Sequence, residues 1–149
     1  MKKHHLPALR FMASVGEPLN PEAVVWGQQA FGLPFHDNWW QTETGGIMIA
    51  NFAALDILPG SMGKPVPGLA ANIVRRTKTG GLESVDEPMV EGELALKAPW
   101  PSMMRGYPFG NTRVGHSLTR GSFVKTGNVC RVQVVSMAWL VQASDSLLC

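Results

Sequence analysis

The segment from Pro59 to Gly68 constrains the fold of this chain most, because three prolines and three glycines fall within ten residues. Proline lacks a backbone donor and fixes φ, so it interrupts helices and is excluded from the middle of sheets. The segment therefore predicts neither a helix nor a central strand. We expect it to cross from an α/β part of the chain into a mostly β part. Lys64 within it is not the lysine of a Walker motif, because no glycine-rich loop precedes it with the required spacing.

The residues before this segment have the pattern of a βαβ unit. Apolar runs at Phe11–Val15 and Leu33–Trp40 predict two strands, the first of them buried. Between them, Asn20 fits a helix N-cap, Pro21 the first helical position and Gly32 the residue that ends the helix. The predicted buried stripe of that helix comprises Ala23, Trp26, Ala30 and Phe31.

The residues after the segment predict β structure. Leu69–Arg75 and Glu93–Ala98 look like strands, and Thr77–Gly81 like a turn between them. In the second strand, Leu94 and Leu96 alternate with Glu93, Ala95 and Lys97, so one face is expected to be buried. We therefore predict three regions: an α/β portion at 1–58, a β-rich subdomain at 59–107 and a tail at 108–149.

Composition excludes several classes of protein. The chain has 149 residues, of which 45% are apolar and 16% charged, and this favours one folded domain over disorder. A net charge of +2 without a basic run argues against nucleic-acid binding, and no apolar run is long enough to span a membrane. Cys130 and Cys149 are interpreted as free thiols of a cytoplasmic protein, and the four histidines lack zinc-site spacing. The oligomeric state, including a homo-oligomer, is left open.

Two polar segments follow the two strands of the βαβ unit and are candidates for a binding site. Ligands collect beyond the carboxyl ends of such strands, where Gly16-Glu17-Pro18 and Gln41-Thr42-Glu43 lie. Gly16 permits close approach of a flat ring, a threonine hydroxyl suits a phosphate oxygen, and a carboxylate suits Mg²⁺. Each segment alone has a simpler interpretation, as a capped strand–helix corner and as a polar loop.

The string from Asp37 to Gly46, Asp-Asn-Trp-Trp-Gln-Thr-Glu-Thr-Gly-Gly, resembles the Tyr/Trp-Gln/Gly-Thr-Glu segment of AMP-forming acyl-adenylate enzymes. Its doubled tryptophan points, within them, to the acetyl-CoA synthetases. The resemblance extends from Phe11 to about Tyr107 and includes Trp100-Pro101-Ser102-Met103-Met104. It implies a βαβ-like portion of the large N-terminal region, followed by a mostly β subdomain. It also implies a reaction in which acetate and ATP give acetyl-AMP, from which coenzyme A displaces AMP.

The resemblance also implies roles for individual residues. Thr42 and Glu43 would be catalytic, with Thr42 on a phosphate and Glu43 on Mg²⁺, and Trp40 would close a pocket for acetate or another short carboxylate. If both indoles lie on a strand they point to opposite faces, so only one lines a given pocket. The residues implied for ATP or AMP are Gly16, Glu17, Pro18, Asp37, Asn38, Trp39, Gln41, Thr42 and Asn128.

The resemblance weakens after Tyr107. Asn128 stands where the family has an aspartate for the ribose hydroxyls, and an amide lacks the charge-assisted strength of a carboxylate. The tail is interpreted either as a diverged sequence or as a frameshifted end. The phosphate loop of the family and its C-terminal lysine domain are not present in the sequence. We therefore expect a fragment that is inactive alone.

Two alternatives remain open at this point. The chain could be a non-catalytic remnant or interaction protein, as the substitution by Asn128 and the altered tail suggest. It could also adenylate another short carboxylic acid, although a large ring at Trp40 counts against bulky substrates.

Overall fold

The structure is a computed structural model that describes residues 5–87 and 90–105, together with the backbone of residues 123–135 and 138–143. These residues form one helix and nine strands. In chain order they are β1 (Met12–Ser14), α1 (Pro21–Phe31), β2 (Phe35–Trp39), β3 (Ile49–Ala50), β4 (Ser61–Pro65), β5 (Ala71–Arg76), β6 (Leu82–Ser84), β7 (Glu91–Lys97), β8 (Phe123–Val135) and β9 (Ala138–Ala143). The strands make one mixed sheet in the order β1-β2-β3-β4-β9-β8-β7-β5-β6. The α/β class expected from the sequence is confirmed.

The βαβ unit is present as predicted. Strands β1 and β2 pair in parallel, and the other strand pairs are antiparallel. Asn20 is the N-cap of α1, and its side-chain oxygen accepts a hydrogen bond from the amide of Glu22 at 2.8 Å. Pro21 begins the helix and Gly32 ends it in the left-handed conformation, with φ of 70°. Local capping chemistry therefore sets both ends of this helix.

The predicted buried face of α1 is wrong at Trp26, which is 48% exposed. The fully buried helical residues are Val24 and Gly27. A Cβ on Gly27 would lie 2.6 Å from the ring of Phe35, so the helix backbone packs closely against β2 at this glycine. Ala23, Ala30 and Phe31 are half-buried beside it. The expectation of a buried first strand holds only for Met12, because Phe11 and Val15 are both more than half exposed.

The prediction that Pro59–Gly68 contains no central strand is wrong. Ser61–Pro65 forms β4, which lies between β3 and β9 in the sheet. Pro59 precedes the strand and Pro65 is its last residue, so neither proline interrupts it from within. Between Ser61 and Gly63 the register with β9 shifts, and Gly63 has φ of +93°. A bulge at a glycine thus accommodates a sequence that reads as a loop.

The strands after this segment match the prediction with two differences. The turn at Thr77–Gly81 connects β5 to the short β6, which sequence patterning did not indicate, and β7 pairs with β5 along its other edge. Ala95 is as buried as Leu94 and Leu96, so β7 is covered on both faces at its centre. The predicted alternation is therefore wrong at Ala95.

The hydrophobic core lies in the antiparallel part of the sheet. Its buried members are Met48, Ile49, Met62, Ile73, Val85, Leu94, Leu96 and Trp100. Residues from the loop before β3 and from the segment after β7 thus share one core with the strands. His36 is a packed histidine, since its ring stacks on Phe11 and its Nδ1 lies 3.0 Å from the carbonyl oxygen of Asn51.

Predictions about the tail fall largely outside the described part of the chain. Cys149 lies outside the described residues, as do the side chains of Cys130 and Asn128, which belong to β8. The three-region division at 1–58, 59–107 and 108–149 stays a prediction. Among the described helices, none has the length and hydropathy of a membrane span.

Candidate active site

Two loops at the carboxyl ends of β1 and β2 contain Gly16, Glu17, Pro18, Trp40, Gln41, Thr42 and Glu43 of the expected site, while Asp37, Asn38 and Trp39 lie at the end of β2 itself and Asn128 belongs to β8. The first loop, residues 15–19, connects β1 to α1, and the second loop, residues 40–48, connects β2 to β3. The parallel register pairs Ser14 with Asp37, so both loops begin at the same edge of the sheet. The structure therefore brings the Gly16-Glu17-Pro18 and Asp37–Glu43 segments to one edge, as predicted for a βαβ unit.

The first loop has an open backbone. Gly16 has φ of +110°, which disfavours side chains, yet a Cβ there would meet no atom within 4 Å. Gly16, Glu17 and Pro18 are all exposed. A planar group therefore has room to lie against this backbone, within the part of the chain that the structure describes.

The first loop is fastened at its two ends by β2. The Nδ2 of Asn38 donates to the carbonyl oxygen of Ser14 at 2.8 Å. The carboxylate of Asp37 accepts hydrogen bonds from the backbone amides of Leu19 and, at 2.9 Å, of Asn38. Neighbouring residues of β2 thus hold both sides of the Gly16-Glu17-Pro18 corner.

The Asp37 carboxyl is an unusual group for a sheet edge, being only 7% exposed. Burial raises its pKa from the ordinary value of 3.8 to about 6, while the hydrogen bonds from the Asn38 and Leu19 amides act in the opposite direction. The nearby Oδ1 of Asn38 is buried and has no hydrogen-bond partner among the described residues. An unpaired buried acceptor is costly unless a ligand donor completes it.

The two indoles of the doubled tryptophan have different surroundings. Trp39 is the last residue of β2 and packs against the hydrophobic core. Trp40 begins the second loop and is 46% exposed. Because β2 ends at Trp39, the two indoles do not both lie on a strand as the prediction supposed. The exposure of Trp40 leaves it accessible to a ligand.

Thr44 organises the second loop, although the sequence interpretation gave it no role. It is only 2% exposed, and its Oγ1 accepts a hydrogen bond from the Gln41 amide at 2.9 Å. The same hydroxyl is placed to donate to the carbonyl oxygens of Gln41 at 2.7 Å and Gly46 at 2.9 Å. The Thr44 amide also donates to the Gln41 carbonyl oxygen at 3.0 Å, which closes a turn with Thr42 and Glu43 at its tip.

A segment far along the chain holds the same loop. Trp100 Nε1 and Ser102 Oγ both donate to the carbonyl oxygen of Thr44, at 2.9 and 2.7 Å. The Met104 amide donates to the carbonyl oxygen of Glu43 at 3.0 Å. The run Trp100–Met104 belonged to the resemblance but carried no assigned function. Only the donors of Trp100 and Ser102 hint at such a role in the sequence, and nothing local pairs them with Thr44.

The tip of the turn presents the two residues predicted to act on phosphate and metal. Thr42 is exposed and Glu43 is half-buried. In the described residues, no three histidine, cysteine or carboxylate side chains are grouped as a metal site. Magnesium bound with a nucleotide often takes only one or two protein carboxylates, and the remaining ligands are phosphates and waters. A single carboxylate at this position therefore suits magnesium bound together with nucleotide.

Comparison with known proteins gives the family. Residues 1–108 match the family model described as AMP-binding enzyme. The acetyl-coenzyme A synthetase of Bacillus subtilis is 51% identical over 102 residues, which cover 68% of this chain and 17% of that protein. The acetyl-coenzyme A synthetase of Pyrobaculum aerophilum is 40% identical over 111 residues, covering 70% of this chain and 16% of that protein. The chain thus spans about a sixth of the length of these relatives.

Solved structures agree with the fold. The anthranilate CoA ligase AuaEII in complex with anthranoyl-AMP superposes with a TM-score of 0.74 at 25% identity, covering 94% of this chain and 25% of that one. A benzoate CoA ligase from Burkholderia xenovorans gives a TM-score of 0.73 at 26% identity, covering 93% of this chain and 26% of that one. Both comparisons and the two loops at one sheet edge lead to the same conclusion: the chain belongs to the AMP-binding enzyme family, in a segment that is similar to acetyl-CoA synthetases.

Proposed function

We propose that this chain is a segment of an AMP-forming acetate–CoA ligase and contributes its adenine, acyl and magnesium-binding residues. In the proposed reaction a carboxylate oxygen of acetate attacks the α-phosphorus of ATP, and pyrophosphate leaves. The sulfur of coenzyme A then attacks the acyl carbon, and AMP leaves. The observation that supports this proposal most is the convergence of the Gly16-Glu17-Pro18 and Asp37–Glu43 segments at the carboxyl edge of one parallel strand pair.

The first loop and the end of β2 supply the proposed adenine site. The open backbone at Gly16 and the exposed Pro18 offer a flat surface for the ring. Asp37 and Asn38 lie beside this surface and fasten the two ends of the loop that carries it. Trp39 and Gln41 are proposed to border the nucleotide, and Asn128 to contact its ribose. With an amide in place of a carboxylate at Asn128, nucleotide binding should be weaker than in relatives.

The turn at the tip of the second loop supplies the proposed phosphate and metal contacts. The exposed hydroxyl of Thr42 is suited to donate a hydrogen bond to a phosphate oxygen, and Glu43 is suited to hold magnesium. Magnesium, when bound, would neutralise the phosphates and so lower the repulsion against an incoming carboxylate. The protein's own part is to place substrate and nucleotide, because such in-line transfers depend mainly on positioning and charge.

Trp40 is the proposed wall of the acyl pocket. Its indole is large and nearly half exposed at the start of the second loop, so it can shorten a pocket that opens there. A short pocket favours acetate over longer acids, since an extra methylene must find space against a rigid ring. The choice among short carboxylates and the cytoplasmic location remain predictions.

Nucleotide binding to the purified chain is the direct test. Titration calorimetry with AMP and with ATP plus Mg²⁺ should give measurable heat, and Thr42→Ala and Gly16→Val should each reduce it. Heat that is unchanged by both substitutions would assign binding to another surface. The absence of binding at millimolar nucleotide would favour a non-catalytic remnant.

Acyl selectivity gives a second test. In a complete acetyl-CoA synthetase whose matching segment is replaced by that of this chain, Trp40→Gly should raise kcat/KM for butyrate relative to acetate at least about tenfold. Trp26→Phe, at an exposed indole on α1, is the control and should leave the ratio unchanged. An unchanged ratio in Trp40→Gly would remove Trp40 from the pocket.

A further inference from the structure

We propose that Trp100 and Ser102 are positioning residues for Thr42 and Glu43, acting through the carbonyl group of Thr44. The proposal rests on the proposed function, because it assigns these two side chains to the phosphate and magnesium part of the same site. Neither side chain contacts the reacting groups in this assignment. Trp100 and Ser102 act by fixing the backbone that carries Thr42 and Glu43.

Both side chains bind the same backbone atom. Trp100 Nε1 and Ser102 Oγ donate to the Thr44 carbonyl oxygen at 2.9 and 2.7 Å, across 56 and 58 residues of sequence. A carbonyl oxygen has two lone pairs, so both are used. Thr44 is almost completely buried, and losing both donors would leave its carbonyl without these partners in an apolar setting.

The position of Thr44 sets the position of the turn tip. Thr44 is joined to Gln41 by three contacts, from the Thr44 amide to the Gln41 carbonyl, from the Gln41 amide to Thr44 Oγ1, and between that hydroxyl and the Gln41 carbonyl. Thr42 and Glu43 are the two residues enclosed by this turn. Fixing Thr44 therefore restricts the directions in which their side chains can point.

The two donor side chains of Trp100 and Ser102, which together form the clamp, belong to residues that pack against other parts of the chain. Trp100 belongs to the hydrophobic core with Leu94 and Leu96, so its indole cannot turn away from the loop without disrupting that core. The backbone of Ser102 lies close against Gly45, since a Cβ on Gly45 would lie 2.1 Å from the Ser102 carbonyl oxygen. The β-rich core thus determines the geometry of a loop that belongs to the βαβ unit.

Hydrogen exchange on the 149-residue chain, without nucleotide or metal, tests the clamp itself. Trp100→Phe and Ser102→Ala should each speed exchange of the Thr44 and Gly45 amides about threefold, since one donor remains. The double variant should speed it at least about thirtyfold, more than the product of the single effects. The Lys97 and Val85 amides, which donate to Ala70 and Ile73, should keep their rates and so report an intact fold.

The metal requirement of the assembled enzyme tests the positioning role. In a complete synthetase carrying this segment, the double variant should raise the Mg²⁺ concentration for half-maximal adenylation about tenfold, with the KM for acetate unchanged. The single variant Ser102→Thr retains the hydroxyl, so its Mg²⁺ concentration for half-maximal adenylation should stay within about threefold of the wild-type value. Trp26→Phe with Ser84→Ala, a matched pair at exposed positions, is the control.

The two readouts separate failure of this proposal from failure of the proposed function. If the Thr44 and Gly45 amides of the double variant exchange at the same rate as in the unmodified chain, Trp100 and Ser102 do not clamp the loop and the proposal is wrong. If exchange increases but the magnesium requirement does not move in an active enzyme, the clamp is only structural and the positioning role is wrong. If the enzyme carrying the unmodified segment is inactive, the proposed function fails while the exchange result still decides the clamp.

Discussion

The two loops at the carboxyl edge of β1 and β2 are held in opposite ways. The first loop is fastened at its ends, at Ser14 and Leu19, and its middle is exposed around Gly16. The second loop is fastened through its middle, at Thr44, by side chains from another part of the chain. An open backbone leaves space for a flat ring to bind, whereas a clamped turn suits a phosphate and a metal ion, which require fixed ligand directions.

The largest expected difference between the loops concerns their glycines. Gly16 and Gly45 both have positive φ, but a Cβ on Gly16 meets nothing within 4 Å and one on Gly45 lies 2.1 Å from a backbone oxygen. Gly16→Ala should therefore cost only backbone strain, about 1–2 kcal/mol, while Gly45→Ala should cost about 3 kcal/mol or more. Urea unfolding measures both. Equal losses would contradict the contrast between an open and a clamped loop.

The next largest effect should come from the end of the first loop. In Asn38→Asp, a carboxylate oxygen replaces the Nδ2 donor and faces the Ser14 carbonyl oxygen, so repulsion replaces a 2.8 Å hydrogen bond. We expect a loss of about 2 kcal/mol. Urea unfolding measures this loss. Asn72→Asp, at an exposed amide on β5, is the control, and an equal loss of stability in that variant would show that the effect does not depend on the contact with Ser14.

The Asp37 carboxyl should make stability depend on pH. Because burial raises its folded-state pKa from 3.8 to about 6, its contribution is most favourable below pH ~4 and is lost as the pH rises through about 6. The change in the free energy of unfolding caused by Asp37→Asn should therefore be about 1–2 kcal/mol more favourable at pH 7.5 than at pH 4. Thermal unfolding at the two pH values measures this difference. A difference that is absent, or that favours the wild type at pH 7.5, would contradict the assignment.

The smallest effect should come from Asn20, which closes the first loop by capping α1. Asn20→Ala removes the acceptor for the Glu22 amide and should cost about 1 kcal/mol. Asn20→Ser retains an acceptor and should recover most of that loss. Amide exchange in the first turn of α1 should increase in the alanine variant, while Thr44 and Gly45 in the second loop stay protected. Loss of their protection would show that the two loops are coupled.

Local chemistry could be predicted from the sequence where neighbouring residues decide the structure. The helix ends at Asn20, Pro21 and Gly32 were correct, since capping involves residues at most four apart. The prediction failed where another element decides the outcome. Pro59–Gly68 contains a central strand because β3 and β9 pair with it. Trp26 is exposed because the helix packs on Phe35 through the neighbouring Gly27.

The sequence by itself determined the family, the βαβ unit and the chemical character of the Asp37–Gly46 string, because these depend on residue types in a fixed local order. Only the tertiary structure decided which side chains hold that string in place. Trp100 and Ser102 reach Thr44 across more than fifty residues, and the position of each is set by a core that many separate segments build together. Contacts of that kind leave no local pattern, because their partners become neighbours only when the sheet is formed.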